Sequence, residues 1–367
     1  MSELNTSSGP EPVVLVTGGA GFIGCALAAP LLERGLRVVA VDNLLEQVHP
    51  GRVRPAALPE QVELLEGDVA DPAVWDSLLA RFRPSLVVHL AAETGTAQSL
   101  TESTRHATTN VVGTTAMLDA FVRHEALPEH VVLTSSRAIY GEGPWQAADG
   151  SVFEPAPRSH AQLAAAQWAH VDADGRPASP LPAYAATTHP NPSSVYGSTK
   201  LAQELILRNW SASFSVPLSV FRLQNVYGPG QSPHNPYTGI ITLFHRLASR
   251  GETLDVYEDG EINRDFVYID DVVAALLAGI ERPAVEQRIL DVGNGVRTTI
   301  LDAARMIAAH HGAPEPQISG RFRDGDVRSA WADVTATHEA LGWTPTWSFA
   351  DGSAAVSDWL KRGGFLG

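Results

Sequence analysis

Val13-Val14-Leu15-Val16-Thr17-Gly18-Gly19-Ala20-Gly21-Phe22-Ile23-Gly24 holds the decision on the fold. The first five residues are a short, apolar, β-branched run without the alternation of a half-exposed strand. They read as a strand buried on both faces. A glycine cluster follows, and residues 25–34 then keep a helical pattern that Gly35 stops. A buried strand, a glycine turn and a helix open a βαβ unit.

Outward from this stretch the pattern repeats. Short buried strands are predicted at 36–42, 62–66, 86–90, 131–134 and 218–223, with helices at 72–81, 110–124 and 195–210. Strands alternating with helices are joined by right-handed crossovers into a parallel sheet. The expected fold class is therefore α/β, a Rossmann-type doubly wound parallel sheet. From about residue 229 the texture changes: helices at 237–250, 270–281 and 300–311, strands at 253–257 and 288–292, and short segments at 330–341 and 350–360. This predicts a smaller, interleaved C-terminal substrate-binding lobe. The expected division is a disordered tail over 1–12, a dinucleotide-binding domain over 13–228, and a lobe over 229–367 with segments that return to the first domain. Residues 143–192, rich in Pro, Ala, Gly, Asp and Ser, read as a long insertion at the rim of the sheet, with one short helix near 161–168.

Composition excludes several classes of function. Lys and Arg number 26 against 41 Asp and Glu, a formal charge of −15. A surface that acidic argues against a nucleic-acid partner, because a phosphate backbone needs basic contacts. The single cysteine, Cys25, cannot form an internal disulfide and argues against a cysteine-held metal. No apolar run approaches the roughly 20 residues of a membrane span. The polar start of the chain lacks the basic and apolar regions of a secretion signal. The expectation is a cytoplasmic protein with no membrane partner and no metal.

Gly19-x-Gly21-x-x-Gly24 has the spacing that a dinucleotide pyrophosphate requires: a tight turn, close backbone approach, and a helix packed near its strand. The helix start then offers free N–H groups and the positive end of its dipole. Gly18, Gly21, Phe22, Ile23 and Gly24 are candidate cofactor contacts. Asp42 closes the next strand about 20 residues on, where a carboxylate binds both ribose hydroxyls and repels a 2′-phosphate, so NAD is expected rather than NADP. Asn43 follows it, Asp68 and Val69 end the third strand near the place for an adenine, and Leu90, Ala91 and Ala92 put small side chains where a cofactor passes close to the backbone. Asn110 joins the candidate cofactor contacts.

Tyr196 and Lys200 are four residues apart, which is one turn along the same helix face. A lysine ammonium near a phenol favours the phenolate. Lowering a tyrosine by about three units takes roughly 4 kcal/mol, within reach of a desolvated cation and a cationic nicotinamide together. Ser136, at the carboxyl end of a strand, is placed to hold the same substrate oxygen that Tyr196 deprotonates. Each signal also has a plain structural reading: a βα turn, a solvated helix face, a strand-end turn.

Thr17-Gly-Gly-Ala-Gly-Phe-Ile-Gly24, Val41-Asp42-Asn43-Leu44, Gly67-Asp68-Val69, His89-Leu90-Ala91-Ala92, Thr134-Ser-Ser-Arg-Ala-Ile-Tyr-Gly141 and Tyr196-x-x-x-Lys200 together resemble the extended short-chain dehydrogenase/reductases, in particular the NAD-dependent sugar-nucleotide epimerases and dehydratases. Arg222-Leu-Gln-Asn-Val-Tyr-Gly-Pro229 and Arg264-Asp-Phe-Val-Tyr-Ile-Asp-Asp271 extend the match. Within that family, Ala92-Glu-Thr-Gly-Thr-Ala-Gln-Ser99, Ile139-Tyr-Gly-Glu-Gly143, Asn235-Pro-Tyr-Thr-Gly239 and the insertion are most similar to the dTDP-L-rhamnose 4-epimerase-like group.

The resemblance implies a nucleotide-sugar 4-epimerase, with a dTDP-6-deoxyhexose as substrate. Its cycle would oxidise C4 to a 4-keto intermediate and return the hydride to the opposite face. Tyr196 would be the base, Lys200 would hold the nicotinamide ribose, and Ser136 would hold the C4 oxygen. Asn225, Arg264 and Arg323 would contact the nucleotide sugar, the two arginines at its diphosphate. Thr94 and Gln98 would line the sugar pocket, and Tyr237 would lie near the base. A homodimer is implied, through the helices at 110–124 and 195–210. Related dehydratases carry an Asp-Glu pair where this chain has Arg137 and Ala138, which argues against dehydration. The alternatives are a dehydrogenase or 4-ketoreductase with exchangeable NAD(P)(H), and a non-catalytic dinucleotide sensor on the same fold.

Overall fold

The computed structural model describes residues 11–233 and 239–366. Seven strands form the central sheet: β1 (Glu11–Thr17), β2 (Val38–Asp42), β3 (Glu63–Glu66), β4 (Phe82–His89), β5 (His130–Ser136), β6 (Leu218–Leu223) and β7 (Gln287–Val292). All neighbours are parallel, in the order β7-β6-β5-β4-β1-β2-β3. The chain fills one side of β1 first and then crosses to the other side with β4. The order reverses between β1 and β4, and that reversal opens a crevice beyond the carboxyl ends of those two strands.

The alternation of buried side chains along β1 shows why its run is unbroken. Val13 and Leu15 pack on one face of the sheet with Trp75, Leu78, Met117, Phe121 and Leu207. Val14 and Val16 pack on the other with Leu27, Leu31 and the apolar side of the C-terminal segments. Helices cover both faces, so every strand position needs an apolar residue.

Five helices place the site. They are α1 (Phe22–Glu33), α2 (Pro72–Arg81), α3 (Ser103 to Arg123), α4 (Val195–Phe214) and α5 (Ile269–Glu281). The sequence signals explain the bounds of α2 and α4. Asp71 caps α2 by accepting from Ala73 N at 2.9 Å, and Pro72 stands at the first helical position. Ser194 caps α4 by accepting from Gly197 N at 3.1 Å, and Ser215 ends it in the left-handed conformation. Helix α3 starts seven residues earlier than its apolar period predicts. It consists of Ser103–Ala107, a π-helical turn over Thr108–Val112, and Gly113–Arg123, with helical φ/ψ kept through both junctions.

The C-terminal segments divide between two places. Helix α5 packs on α1 and strand β7 completes the sheet, while helices Ile240–Ser249, Ile300–His311 and Phe349–Arg362 pack together beside it. The insertion carries strands Trp145–Gln146, Val152–Phe153 and Ser179–Pro180 as a small antiparallel sheet, with a short helix at His160–Ala164. It is bound firmly to the C-terminal segments. The buried Arg158 pairs with Glu258 at 2.6 Å, lies 3.6 Å from Glu142, and donates to Asp326 O at 2.9 Å. Ala183 exchanges backbone hydrogen bonds with Trp331 and Asp333. Among the described residues no helix is long and apolar enough to cross a membrane.

Three histidines from two of the C-terminal helices meet the third helix: His245 Nδ1 shares a hydrogen bond with His311 Nε2 at 2.9 Å, and its Nε2 bonds Ser353 Oγ at 2.9 Å. His310 stands edge-on to His245, with centroids 5.9 Å apart. Burial, then His311 and His310, push the pKa of His245 down to about 3. The unfolded chain takes up this proton near pH 6.5 and the folded chain does not. The contribution is therefore fully present above about pH 6.5 and is lost as the pH falls toward 3. Urea unfolding of the parent and of His245→Gln, followed from pH 7 to pH 4, should show a smaller acid loss in the variant. Parallel losses would contradict this assignment.

Candidate active site

The crevice beyond β1 and β4 is a cleft of about 470 Å³. Its phosphate end is built by the glycine turn. Gly18 has φ +65°, and a Cβ there would stand 2.8 Å from Ala91 N. Gly24 lets α1 press on the turn, since a Cβ would stand 2.6 Å from Gly19 Cα. Gly21 caps α1 with extended backbone and no side-chain hydrogen bond. The first-turn N–H groups of Phe22, Ile23 and Gly24 are therefore left for a ligand, and all three residues line the cleft. This cradle fits a dinucleotide diphosphate.

Asp42 stands at the ribose position. Its Oδ2 accepts from Ala20 N at 3.1 Å and its Oδ1 from Leu44 N at 2.9 Å, so the carboxylate is fixed before any ligand arrives. Burial raises its pKa, against the backbone donors and His49. His49 Nε2 lies 4.0 Å from Asp42 Oδ1, and Gln47, Val48 and His49 line the same end of the cleft. Nothing local in the sequence marks these three loop residues. Asn43, Val69, Leu90, Ala91, Ala92 and Thr94 line the cleft as well.

Three expected contacts do not reach it. Asp68 is exposed, and its carboxylate accepts from Ala70 N at 2.9 Å, a turn bond. Asn110 lies beneath the floor. Its Oδ1 accepts from Glu93 N at 2.8 Å, and its Nδ2 donates to Glu93 O at 3.1 Å and to Thr199 Oγ1 at 2.9 Å, so the amide clamps the end of β4 to α4. The π-turn of α3 carries this residue. Gln98 is buried and trades hydrogen bonds with Gln47 while donating to Glu102, tying the loops after β2 and β4 together. For Asn110 and Gln98 local hydrogen bonds consume the amide that a ligand would use.

At the other end of the cleft stand Ser136, Tyr196 and Lys200. Ser136 ends β5 and caps the following 3-10 turn Arg137–Tyr140, accepting from Ala138 N at 3.2 Å. Burial raises the Tyr196 phenol pKa, while Ser136 and the Arg137 charge oppose it. Lys200 is buried and donates to Gln203 Oε1 at 2.5 Å. Desolvation brings its pKa down to about 7, against Glu204. The contact that joins the two halves of this centre is at Gly197, where a Cβ would stand 2.5 Å from Ala138 O. The second residue of Tyr-Gly-Ser-Thr-Lys is thus a packing requirement that brings the Tyr196 helix onto the Ser136 turn.

Asn225 lines the cleft, and its Oδ1 accepts from Arg137 Nε at 3.2 Å. Arg264 is buried, with Nη2 on Asp326 Oδ1 at 2.5 Å and Nη1 on Asn263 O at 2.7 Å. It is not among the residues that line the cleft. Arg323 is exposed, with its guanidinium 5.1 Å from the centre of the Tyr257 ring. Tyr237 lies outside the described residues.

A cleft with an open helix N-terminus at one end and a phenol, a hydroxyl and an ammonium at the other suits a dinucleotide-dependent enzyme that works on a hydroxyl or carbonyl. The chain belongs to the NAD dependent epimerase/dehydratase family, whose model matches residues 14–293. It is 53% identical to the dTDP-L-rhamnose 4-epimerase of Burkholderia thailandensis, over 99% of this chain and 98% of that one. Among solved structures it is similar to the UDP-glucose 4-epimerase of Thermotoga maritima with UDP-glucose, with 29% identity and a TM-score of 0.78 over 95% of this chain and 99% of that one. It is also similar to the Thermus thermophilus UDP-glucose 4-epimerase complex with NAD, at 27% identity and a TM-score of 0.74 over 95% and 98% of the two chains.

Gly197→Ala should lower stability by about 1–3 kcal/mol, because the added methyl forces α4 off the Ala138 carbonyl. Arg208→Ala, at an exposed position further along α4, should leave the parent value. Urea unfolding measures both, and an unchanged midpoint for Gly197→Ala would mean that helix and turn are not in this contact.

Proposed function

We propose that this protein is an NAD-dependent 4-epimerase of a dTDP-6-deoxyhexose, with dTDP-L-rhamnose as the first substrate to test. The observation that carries the reading is that Ser136, Tyr196 and Lys200 line one cleft with the glycine turn and Asp42. Similarity to the Burkholderia enzyme, whose name carries that substrate, supports the choice of sugar and nucleotide.

Bound NAD supplies a reversible oxidant for the sugar C4. The chain's residues manage the proton and the geometry. Ser136 holds the C4 oxygen, and Tyr196 takes the C4 hydroxyl proton and later gives it back. Lys200, one turn on, presents a cation at the cofactor end. The 4-keto sugar must turn over within the cleft, so that C4 is reduced on its other face. Nothing is oxidised in sum, and the cofactor is not consumed. Dehydration needs an acid and a base directly after Ser136, and Arg137 and Ala138 provide neither.

The protein as purified, with no cofactor added, should convert dTDP-L-rhamnose to its C4 epimer, resolved by NMR. Tyr196→Phe should lower the rate by about 10²–10⁴-fold, the usual worth of a positioned acid/base group. Accumulation of free NADH with net oxidation would overturn the epimerase reading in favour of a dehydrogenase.

A homodimer belongs to the same proposal. Leu100, Val112 and Leu205 are half-exposed on or beside α3 and α4, around a hollow lined by Val111, Val195, Ser198 and Ala202. Sedimentation should show a dimer for the parent and a monomer for Val112→Glu/Leu205→Glu. A parent that sediments as a monomer would contradict it.

A further inference from the structure

The loop that follows β2 turns back on itself. Val48 N and His49 N both donate to Leu45 O, at 2.9 and 2.8 Å, and Arg52 N donates to His49 O at 2.8 Å. Gln47 and Gln98 exchange amide hydrogen bonds at 3.1 and 3.0 Å, which ties the loop to the segment after β4. On the other side Ser232 Oγ donates to Val48 O at 3.5 Å. These bonds fix the loop before any ligand arrives, and His49 lines the ribose end of the cleft. Its side chain is 9% exposed, and its Nε2 lies 4.0 Å from Asp42 Oδ1.

That distance decides what the two groups can do together. An N–H···O hydrogen bond ends near about 3.2 Å, so the histidine and the carboxylate do not bond each other. Two hydrogen bonds of about 2.8 Å that meet at one oxygen span roughly 4 Å when the angle between them is near 90°. One hydroxyl oxygen standing off the line between the groups therefore reaches both. Asp42 Oδ1 has room for it: a carboxylate oxygen accepts two bonds, and Leu44 N supplies one at 2.9 Å. His49 has need of it. Among the described residues its imidazole has no hydrogen bond, and Asp42 is the carboxylate it faces. A polar group this deeply buried is ordinarily satisfied by some partner.

On the reading of Asp42 as the ribose acceptor of NAD, we propose that His49 is a second ligand of that adenosine ribose and brackets one of its hydroxyls together with Asp42. A hydroxyl has one proton. It gives that proton to Asp42 Oδ1, so it accepts from His49, and the imidazole carries its own proton on Nε2. Gln47 and Gln98 are then positioning residues, which hold the loop that presents His49. Both ribose ligands serve the cofactor, whichever sugar is turned over.

Release of the cofactor reads this contact without turnover. The purified protein is exchanged with excess NAD, 2′-deoxyadenosine NAD or 3′-deoxyadenosine NAD and freed of unbound dinucleotide. Loss of the bound dinucleotide is then followed in the parent, His49→Leu and His49→Gln. His49→Leu should release NAD about 3–10-fold faster, the usual worth of one neutral hydrogen bond, expressed in the off-rate. His49→Gln, whose amide N–H reaches the same hydroxyl, should keep most of the parent's hold. The parent and His49→Leu should release at one rate the analogue that lacks the bracketed hydroxyl, and should differ as before on the other. Depleted of cofactor, His49→Leu should unfold at the parent temperature or above, because no protein partner is lost. Equal release of NAD from parent and His49→Leu, or a difference that survives undiminished on both analogues, would overturn the proposal. So would a cofactor-free His49→Leu that is less stable or fails to fold, since His49 would then be a strut of the loop. If release changes as expected but no sugar nucleotide is epimerised, the proposed function fails and the His49 assignment stands.

Discussion

Everything in the site depends on one buried chain of hydrogen bonds. Thr17 Oγ1 meets His89 Nδ1 at 2.7 Å, and His89 Nε2 meets Thr114 Oγ1 at 2.9 Å. Gln203 Nε2 donates to the same Thr114 oxygen at 2.9 Å, and Gln203 Oε1 accepts from Lys200 Nζ at 2.5 Å. These five side chains belong to β1, β4, α3 and α4, and all are buried. A buried polar group left without a partner costs on the order of 1–3 kcal/mol, so a shift of any one of the four elements that breaks the chain is penalised. Burial brings the His89 pKa down to about 3, with Lys200 adding to the effect, so the imidazole stays neutral and the chain keeps its pattern of donors and acceptors. The glycine turn begins one residue after Thr17, and Tyr196 stands one turn before Lys200. The chain therefore sets the distance between the diphosphate cradle and the acid/base pair.

The charged groups around the far wall divide by whether they are paired. Arg158 and Arg328 share Glu258, and Arg328 forks onto Asp259 while its backbone N–H bonds Glu142. This cluster joins the insertion to the C-terminal segments. Removing one member would strand its partners, so the insertion is fixed to the C-terminal segments rather than a loose decoration. Among the described residues Arg137 is the exception, bonded through Nε to the Asn225 amide oxygen and in no ion pair, while Arg158, Arg264 and Arg328 are each paired with a carboxylate.

Local chemistry was legible in the sequence; aim was not. The strand–glycine–helix opening, the Asp-Pro start of α2 and the Tyr–Lys pair on α4 depend on neighbours within a turn, and the spacing of residues carries that information. Asn110, Gln98 and Asp68 depend on what lies across space. Each has the right chemistry for a ligand, yet Glu93 and Gln47 take up the hydrogen bonds of Asn110 and Gln98, and Asp68 stands exposed with one oxygen on the Ala70 amide. The π-turn that sets Asn110 under the cleft leaves the apolar period of α3 nearly unchanged, so it has no sequence signature. Gly197 reads as an indifferent residue inside a motif until the Ala138 carbonyl is seen against it. His49 sits beside Asp42 only because the loop after β2 folds back over the strand end.

The central claim is that C4 is oxidised and reduced again within one cleft. The measurement that tests it most directly is epimerisation of dTDP-L-rhamnose carrying deuterium at C4, followed by NMR in ordinary water. The account predicts that both epimers keep the deuterium at C4, because the atom removed is the atom returned. Loss of the label to solvent as the epimer forms would contradict it, since inversion would then proceed by a route that the Ser136, Tyr196 and Lys200 arrangement does not provide.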